Sequence, residues 1–395
     1  MIGVVVLLAL ASDFSDRRAA LEDTLKGKSL VVLGLSEEEG DTRDGFFQEP
    51  NFYYLTGLKD PGGALVMKNG AATIYLDHRD EKKERWTGKK LAFEDRPDLG
   101  SPLKSSDKLE GDLKDITGKL YVLPVGKERL RKLAPKAELE DATPILARMR
   151  NVKSPGELST MQKAIDASIA AHRTSWQTAK PGMFEYQLAS AMSGIYFSMG
   201  CQRNAYPPIV GSGPNATVLH YFLNSRRMDA GELVLMDVGA ECDGYAGDIT
   251  RTIPVNGKFT ARQRELYDAV LAAENAVIAA AKPGMTPAQL KEIAVKSLDS
   301  RKEKLGKYLI HGVSHQVGLE VHDSYVKDDP FPLGSVITVE PGVYIPEEGI
   351  GIRIEDMILL TREGAKNLTA ALPREADEIE REMAKSRQET AAFKP

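Results

Sequence analysis

In this 395-residue chain, the stretch "LVLMDVGAECDGYAGDITRT" (residues 233–252) places Asp237 inside an apolar run and Asp248 eleven positions later. A carboxylate among Leu, Val and Met is costly to bury unless something compensates it. Asp243-Gly244, between the two acids, is a strong signal for a two-residue hairpin loop. With that loop, Asp237 faces Thr250, and Asp248 becomes its diagonal neighbour on the same sheet face. A second stretch, "VEPGVYIPEEGIGIRIED" (339–356), reads as a hairpin turning around residues 346–349. That register sets Glu340 opposite Glu355. Four carboxylates thus come from the middles of two apolar hairpins.

Such a group repels itself, and some members take up protons, unless cations neutralise it. Arg251 and Arg353 stand beside the acids, but strand neighbours alternate faces, so neither arginine is expected to pair with them. Metal is the better account. An imidazole donor is at hand in "HGVSHQVGLEVHD" (311–323), which holds His311, His315 and His322. Four of the six histidines lie between 220 and 322, which concentrates the candidates there. His311 and His315 have the spacing of a helical zinc motif. No Glu follows His311, however, and Gly312, Val313, Val317 and Gly318 oppose a helix, so that motif is rejected. An oxygen-rich set of this kind suits two divalent cations, with Mn2+ favoured and Zn2+ or Co2+ as substitutes. Two such ions about 3.5–4 Å apart acidify water and stabilise both attacking and leaving groups.

A repeat positions these acids. "AKPGM" occurs at residues 179–183 and again at 281–285, and Gln187-Leu188 and Gln289-Leu290 keep the same spacing. "LVLMDVG" aligns with "VITVEPG" one residue further out. Each half reads as helix, "AKPGM" turn, helix, then a strand pair carrying acids. Copies of about 100 residues are too long for a solenoid unit. They predict a pseudo-twofold domain of helices and antiparallel hairpins holding something between its halves.

The start of that domain is marked by Ser154-Pro155-Gly156-Glu157, a capping box with Pro at the first helical position. We place the domain at 151–380, where the acidic segment "READEIEREMAKSRQETAAFKP" starts as a helix and fades into a solvated tail at 381–395. Residues 13–150 read as a smaller α/β domain. Its buried strands are "SLVVLGL", "ATIYLD" and "YVLPVG", and "RRAALEDTLKG" has helical spacing with a Gly stop. "FFQEPNFYYLTGL" (46–58) packs five aromatics into thirteen residues and reads as core or an oligomer contact. The fold class is therefore α/β (α+β).

A hydrophobic content of 42% with 28% charged residues fits a globular enzyme or scaffold. The net charge of −5 leaves no basic footprint for nucleic acid. Cys201 and Cys242 are the only cysteines and are expected to stay unpaired, because no disulfide framework surrounds them. Residues 2–11, "IGVVVLLALA", end in the small-x-small pattern of a cleavage site, although no Lys or Arg precedes them. Segment 1–12 is either an export signal, giving an exported or periplasmic protein, or a buried first strand of a cytoplasmic one. It is too short for a membrane span, and none is expected elsewhere.

In order along the chain, "DVG", "GDITRTIPVNGKFT", "HGVSHQVGLEVHD", "TVEPGVY" and "GIGIRIED" resemble the pita-bread metallopeptidases (creatinase and methionine aminopeptidase-like), and within them the aminopeptidase P group. The likeness covers about residues 151–372, and "NFYYLTG" resembles the group's N-terminal domain. It implies a pita-bread catalytic domain behind a creatinase/prolidase-like N-terminal domain. The implied metal ligands are Asp237, Asp248, His315, Glu340 and Glu355, with Asp248 and Glu355 bridging. Glu340 is implied as general base and then acid, and His220 and His322 as supports of the scissile carbonyl and oxyanion. His311 and Arg353 fall on substrate-contacting positions. The implied reaction cuts between an N-terminal residue and a following proline, in a homo-oligomer (dimer or tetramer). An Xaa-Pro dipeptidase is the alternative. A catalytically silent binding protein on the same fold is more distant, because all five ligand positions are filled.

Overall fold

The computed structural model describes residues 2–37 and 45–392, with side-chain surroundings for 13–37 and 45–385. The chain divides into two compact units, Met1–Met149 and Arg150–Pro395.

The first unit is built on a six-stranded sheet. Its strands are β1 (Ser29–Leu33), β2 (Ala64–Lys68), β3 (Ala71–Leu76), β4 (Leu103–Ser105), β5 (Gly118–Val122) and β6 (Ala137–Asp141). They lie in the order β4-β3-β2-β1-β5-β6, with β1, β2 and β3 antiparallel and the outer pairings parallel. Alternation in β1 sends Val31 and Leu33 into a cluster with Leu120, Val122 and Leu113. Each fully buried side chain of this kind contributes about 1.5–3 kcal/mol. The aromatic stretch is core: the short helix Pro50–Thr56 buries Phe52, Tyr54 and Leu55. Glu49 caps its first turn through Phe52 N, and left-handed Gly57 ends it.

The apolar run 2–11 is not a strand. It opens a helix, Ile2–Leu25, which continues through the helically spaced "RRAALEDTL". The side chains of residues 2–12, and with them the cleavage-site reading, lie outside the described residues. Among the described residues no helix is long and apolar enough to cross a membrane.

The second unit carries the repeat. Helices Pro155–Thr178 and Glu185–Ser198 form one half, Ala261–Ala280 and Pro287–Leu298 the other. Ser154, Thr260 and Thr286 begin their helices with capping boxes, each satisfying two orphan donors. The two "AKPGM" turns are tied down alike: Gly182 N donates to Met228 O and Gly284 N to Phe331 O, both at 2.8 Å.

The strands of the first half are β7 (Arg203–Asn204), β8 (Ile209–Ser212), β9 (Leu233–Val238), β10 (Ala240–Cys242), β11 (Tyr245–Ala246) and β12 (Ile249–Pro254). Asp237 pairs with Thr250 and Cys242 with Tyr245, the register expected from the Asp243-Gly244 loop. Those two residues have φ of +52° and +86°, which a tight primed turn requires. A side chain at Gly239 would lie 1.8 Å from Gly247 O, so the hairpin closes only over glycine there.

The second half holds β13 (Val336–Val339), β14 (Gly342–Ile345), β15 (Ile350–Arg353), β16 (Asp356–Thr361) and β17 (Gly364–Asn367). Val339 pairs with Asp356 and Gly342 with Arg353, which sets Glu340 against Glu355 as expected. The ladder is interrupted at Glu340-Pro341, because proline has no N–H to donate. Glu355 N instead donates to Thr250 O of the other hairpin at 3.1 Å. The break joins the two halves.

Two further expectations change. Cys201 and Cys242 form a disulfide, with Cα atoms 4.3 Å apart. Residues 202–205 return along β10, with Gln202 N donating to Glu241 O and Ala205 N to Gly239 O, and this non-local pairing brings the thiols together. The segment expected to be a tail from 381 onward continues a helix, Ala376–Ala392, in which Met383 is buried.

Candidate active site

The middles of the two hairpins face a cavity of about 510 Å3, and all nine residues singled out in the sequence line it. At its floor, ligand atoms of Asp248, His315 and Glu355 lie within 4.8 Å of one another. His315 Nε2 stands 3.4 Å from Asp248 Oδ2 and 3.5 Å from Glu340 Oε1, while its Nδ1 lies 3.0 Å from Gln316 O. Asp237 enters from the paired strand, and Tyr206 links it to Asp248.

Burial dominates the electrostatics. It pushes Glu355 well above the usual carboxylate range, with Asp248, Glu340 and Asp237 adding to the shift. It lifts Glu340 to about 7 even though His315 and Arg353 pull the other way. Asp237 is raised by burial against the opposing charge of Arg353. Burial also works against a charge on His315, yet Asp248 and Glu340 outweigh it and lift this imidazole to about 9.

The expectation that neither arginine pairs with the acids is corrected for Arg353. Positions 353 and 355 are two apart and share a face, so this guanidinium enters the site. Its Nη2 pairs with Asp237, Nη1 donates to Tyr344 Oη at 2.9 Å, and Nε donates to Thr250 Oγ1 at 3.2 Å. Arg251 turns to the other face, where it pairs with Asp356 and donates to Glu355 O.

Three histidines line the cavity around this floor. The His322 ring stands 4.2 Å from that of His315, edge to face, and its pKa is lowered first by burial and then by His315. Burial pushes His311 down to about 4, so its ring is neutral, and its Nε2 lies 2.8 Å from Tyr344 Oη. His220 is exposed and stacks on Phe222.

Residues 159–362 match Metallopeptidase family M24, more than half of the chain, and residues 14–100 match the family described as Aminopeptidase P, N-terminal domain. The chain belongs to metallopeptidase family M24. It is 35% identical to the Xaa-Pro aminopeptidase of Haemophilus influenzae, over 93% of this chain and 96% of that protein. It is 33% identical to the Xaa-Pro aminopeptidase of Escherichia coli, over 95% and 98% respectively. The solved structure of E. coli aminopeptidase P with the inhibitor Pro-Leu superimposes with a TM-score of 0.86, at 30% identity, covering 96% of this chain and 99% of that one.

The side chains of this metallopeptidase fit a metal. Tyr206 Oη lies 2.6 Å from Asp237 Oδ1 and 2.5 Å from Asp248 Oδ1, and one hydroxyl proton cannot serve two carboxylates. His315 keeps an extra proton only because acids surround it, and a cation can take that proton's place. The Asp248, His315 and Glu355 group is a candidate metal site on this chemistry.

Several residues of the site were missed in the sequence. Thr250 Oγ1 donates to Glu355 Oε2 at 2.6 Å, and Thr338 Oγ1 donates to Glu340 Oε1 at 3.3 Å. Thr338 shares the parity of the acid it serves, Glu340, and Thr250 shares that of Asp248 on its own strand, so both were placed on the acid-bearing face by a signal that was available. Tyr206 gave no such signal. Asp323 was also overlooked: it is fully buried between Arg150 and Lys153, the latter 3.1 Å away, and it fixes the end of the histidine loop.

Proposed function

We propose that the chain is a metal-dependent aminopeptidase that releases the N-terminal residue of peptides whose second residue is proline. The observation that carries this reading is the convergence of Asp248, His315 and Glu355 at the floor of a cavity lined by three further histidines. The similarity to Xaa-Pro aminopeptidases over nearly the full length of both chains supports it, and it favours an aminopeptidase over a prolidase.

Asp237, Asp248, His315, Glu340 and Glu355 would hold two divalent cations, with Asp248 and Glu355 serving both. Carboxylate donors favour Mn2+, with Zn2+ or Co2+ as substitutes. When bound, the ions supply Lewis acidity toward the scissile carbonyl and lower the pKa of water.

The chain's own side chains handle orientation and protons. Glu340, oriented by Thr338 and standing 3.5 Å from His315, takes the proton of the attacking water and delivers it to the proline nitrogen, which leaves as a secondary amine. His322 and His220 present ring N–H groups to the carbonyl oxygen as it gains charge. His311, fixed by Tyr344, lines the cavity together with the apolar side chains of Val321 and Leu219, which suit a pyrrolidine ring. Arg353 holds Asp237, Tyr344 and Thr250 with three of its five N–H groups and contacts substrate beside them. A homo-oligomer, dimer or tetramer, belongs to the same proposal.

The test is a metal titration of the chelator-stripped protein, followed by mass spectrometry of a tripeptide with proline second. The expected outcome is two Mn2+ per chain and restored release of the first residue. A stripped protein that binds no Mn2+, or that cleaves equally well without it, contradicts the reading.

A further inference from the structure

Tyr206 lies outside every motif of the sequence, yet its hydroxyl sits between the two aspartates of the first hairpin, 2.6 Å from Asp237 Oδ1 and 2.5 Å from Asp248 Oδ1. The remaining oxygens face other groups, Asp237 Oδ2 pairing with Arg353 and Asp248 Oδ2 standing 3.4 Å from His315. Without the hydroxyl, these neighbouring carboxylates have only their mutual repulsion along that edge.

The segment that carries Tyr206 is pinned on both sides. Upstream, the Cys201–Cys242 disulfide, the Arg203–Glu241 ion pair at 2.9 Å and the pairing of Asn204 with Ala240 fasten it to β10. Ala205 N adds a bond to Gly239 O at 2.8 Å. Downstream, Pro207-Pro208 restricts the backbone, and Pro208 O accepts from Asn224 Nδ2 at 2.8 Å. A ring placed this firmly is preorganised rather than recruited.

We propose that Tyr206 is a positioning residue, held by the Cys201–Cys242 strap, that fixes the spacing of Asp237 and Asp248 for metal binding. This role presupposes the metal site proposed above. Partners that orient ligands in this way typically govern metal affinity by roughly 10–100-fold.

The test is Mn2+ titration of chelator-stripped full-length protein, comparing wild type, Tyr206→Phe and the Cys201→Ser/Cys242→Ser pair, with thermal melting of each metal-free protein. Tyr206→Phe is expected to weaken Mn2+ binding by roughly 10–100-fold, while KM for a proline-second peptide at saturating Mn2+ stays near wild type. The cysteine pair, which keeps the hydroxyl but frees its segment, is expected to weaken binding less. A tyrosine that only fills space would shift the melting temperature and leave the Mn2+ Kd unchanged, and that result overturns the proposal. If Tyr206→Phe fails to fold, the cysteine pair decides: weaker binding supports the proposal and unchanged binding overturns it. If Tyr206→Phe weakens binding and the cysteine pair does not, the strap is overturned and the hydroxyl's role stands. Wild type that binds no Mn2+ would instead remove the metal site itself.

Discussion

Glu340 is proposed as both metal ligand and proton carrier, and its surroundings suit both. Burial holds its pKa at about 7, while Thr338 orients one oxygen and His315 stands 3.5 Å away. Glu340→Gln keeps an oxygen donor but cannot shuttle a proton. It is expected to lower kcat by roughly 10²–10⁴-fold, a loss larger than its residual metal content explains; kcat measured beside elemental analysis checks this. The histidines should divide differently. His315→Ala should empty metal from the site, whereas His322→Ala should retain it and lose turnover. If His322→Ala bound no metal, the assigned split of roles would be wrong. The four acids were legible in the sequence because a charge inside an apolar strand stands out. Tyr206 was not, because "QRNAYPPIV" has neither periodicity nor motif, and only the folded chain brings its hydroxyl to the aspartates.

At the scale of elements, the first hairpin's register could be read because Asp243-Gly244 fixes a two-residue loop from which its pairings follow, and the second from the turn around residues 346–349. The break at Pro341 follows from a residue without an N–H, but the pairing of Glu355 with Thr250 of the other hairpin is non-local and left no trace in the sequence. The same holds for the histidine loop. Residues 311–323 have no helical or strand period, so what holds them was invisible until Asp323 was seen between Arg150 and Lys153. Burial opposes the charge of Asp323, but the two cations outweigh it and hold the carboxyl below its ordinary pKa. Asp323→Ala removes the carboxylate that Arg150 and Lys153 share, leaving Arg150 its pair with Glu320 and Lys153 its bond to Arg150 O, and breaking this buried pairing is expected to cost about 3–5 kcal/mol in urea unfolding. A loss under about 1 kcal/mol, the range of surface pairs, would show that the cluster does not anchor the loop.

Across the whole molecule, the repeat was legible because the "AKPGM" turns and acid strands recur in register. The disulfide was not, since 41 residues separate its cysteines and no spacing rule connects them. The fold also carries a buried imidazole outside the catalytic site. His172 is fully enclosed, with Nε2 3.0 Å from Ile249 O, and burial, reinforced by the nearby charge of Arg251, pushes its pKa down to about 3. Its ordinary value is about 6.5. Between these values the unfolded chain binds a proton that the folded chain refuses, so this residue's share of stability falls as pH drops through that window. The urea midpoint of the wild type should therefore fall relative to that of His172→Gln from pH 7 to pH 4, the other titrating groups being common to both. Identical slopes would mean that His172 does not contribute.

The central claim, a metallopeptidase that reads proline in the second position, is tested most directly by kcat/KM on three substrates with Mn2+ present. These are a proline-second peptide of three or more residues, the same peptide with alanine second, and the bare Xaa-Pro dipeptide. The proline-second peptide should lose only its first residue and exceed the alanine peptide by roughly 10–200-fold, the discrimination an apolar pocket of this kind provides. The dipeptide should be the poorer proline substrate. Cleavage of the dipeptide alone would make the protein a prolidase, and equal rates on the proline and alanine peptides would contradict the proline assignment.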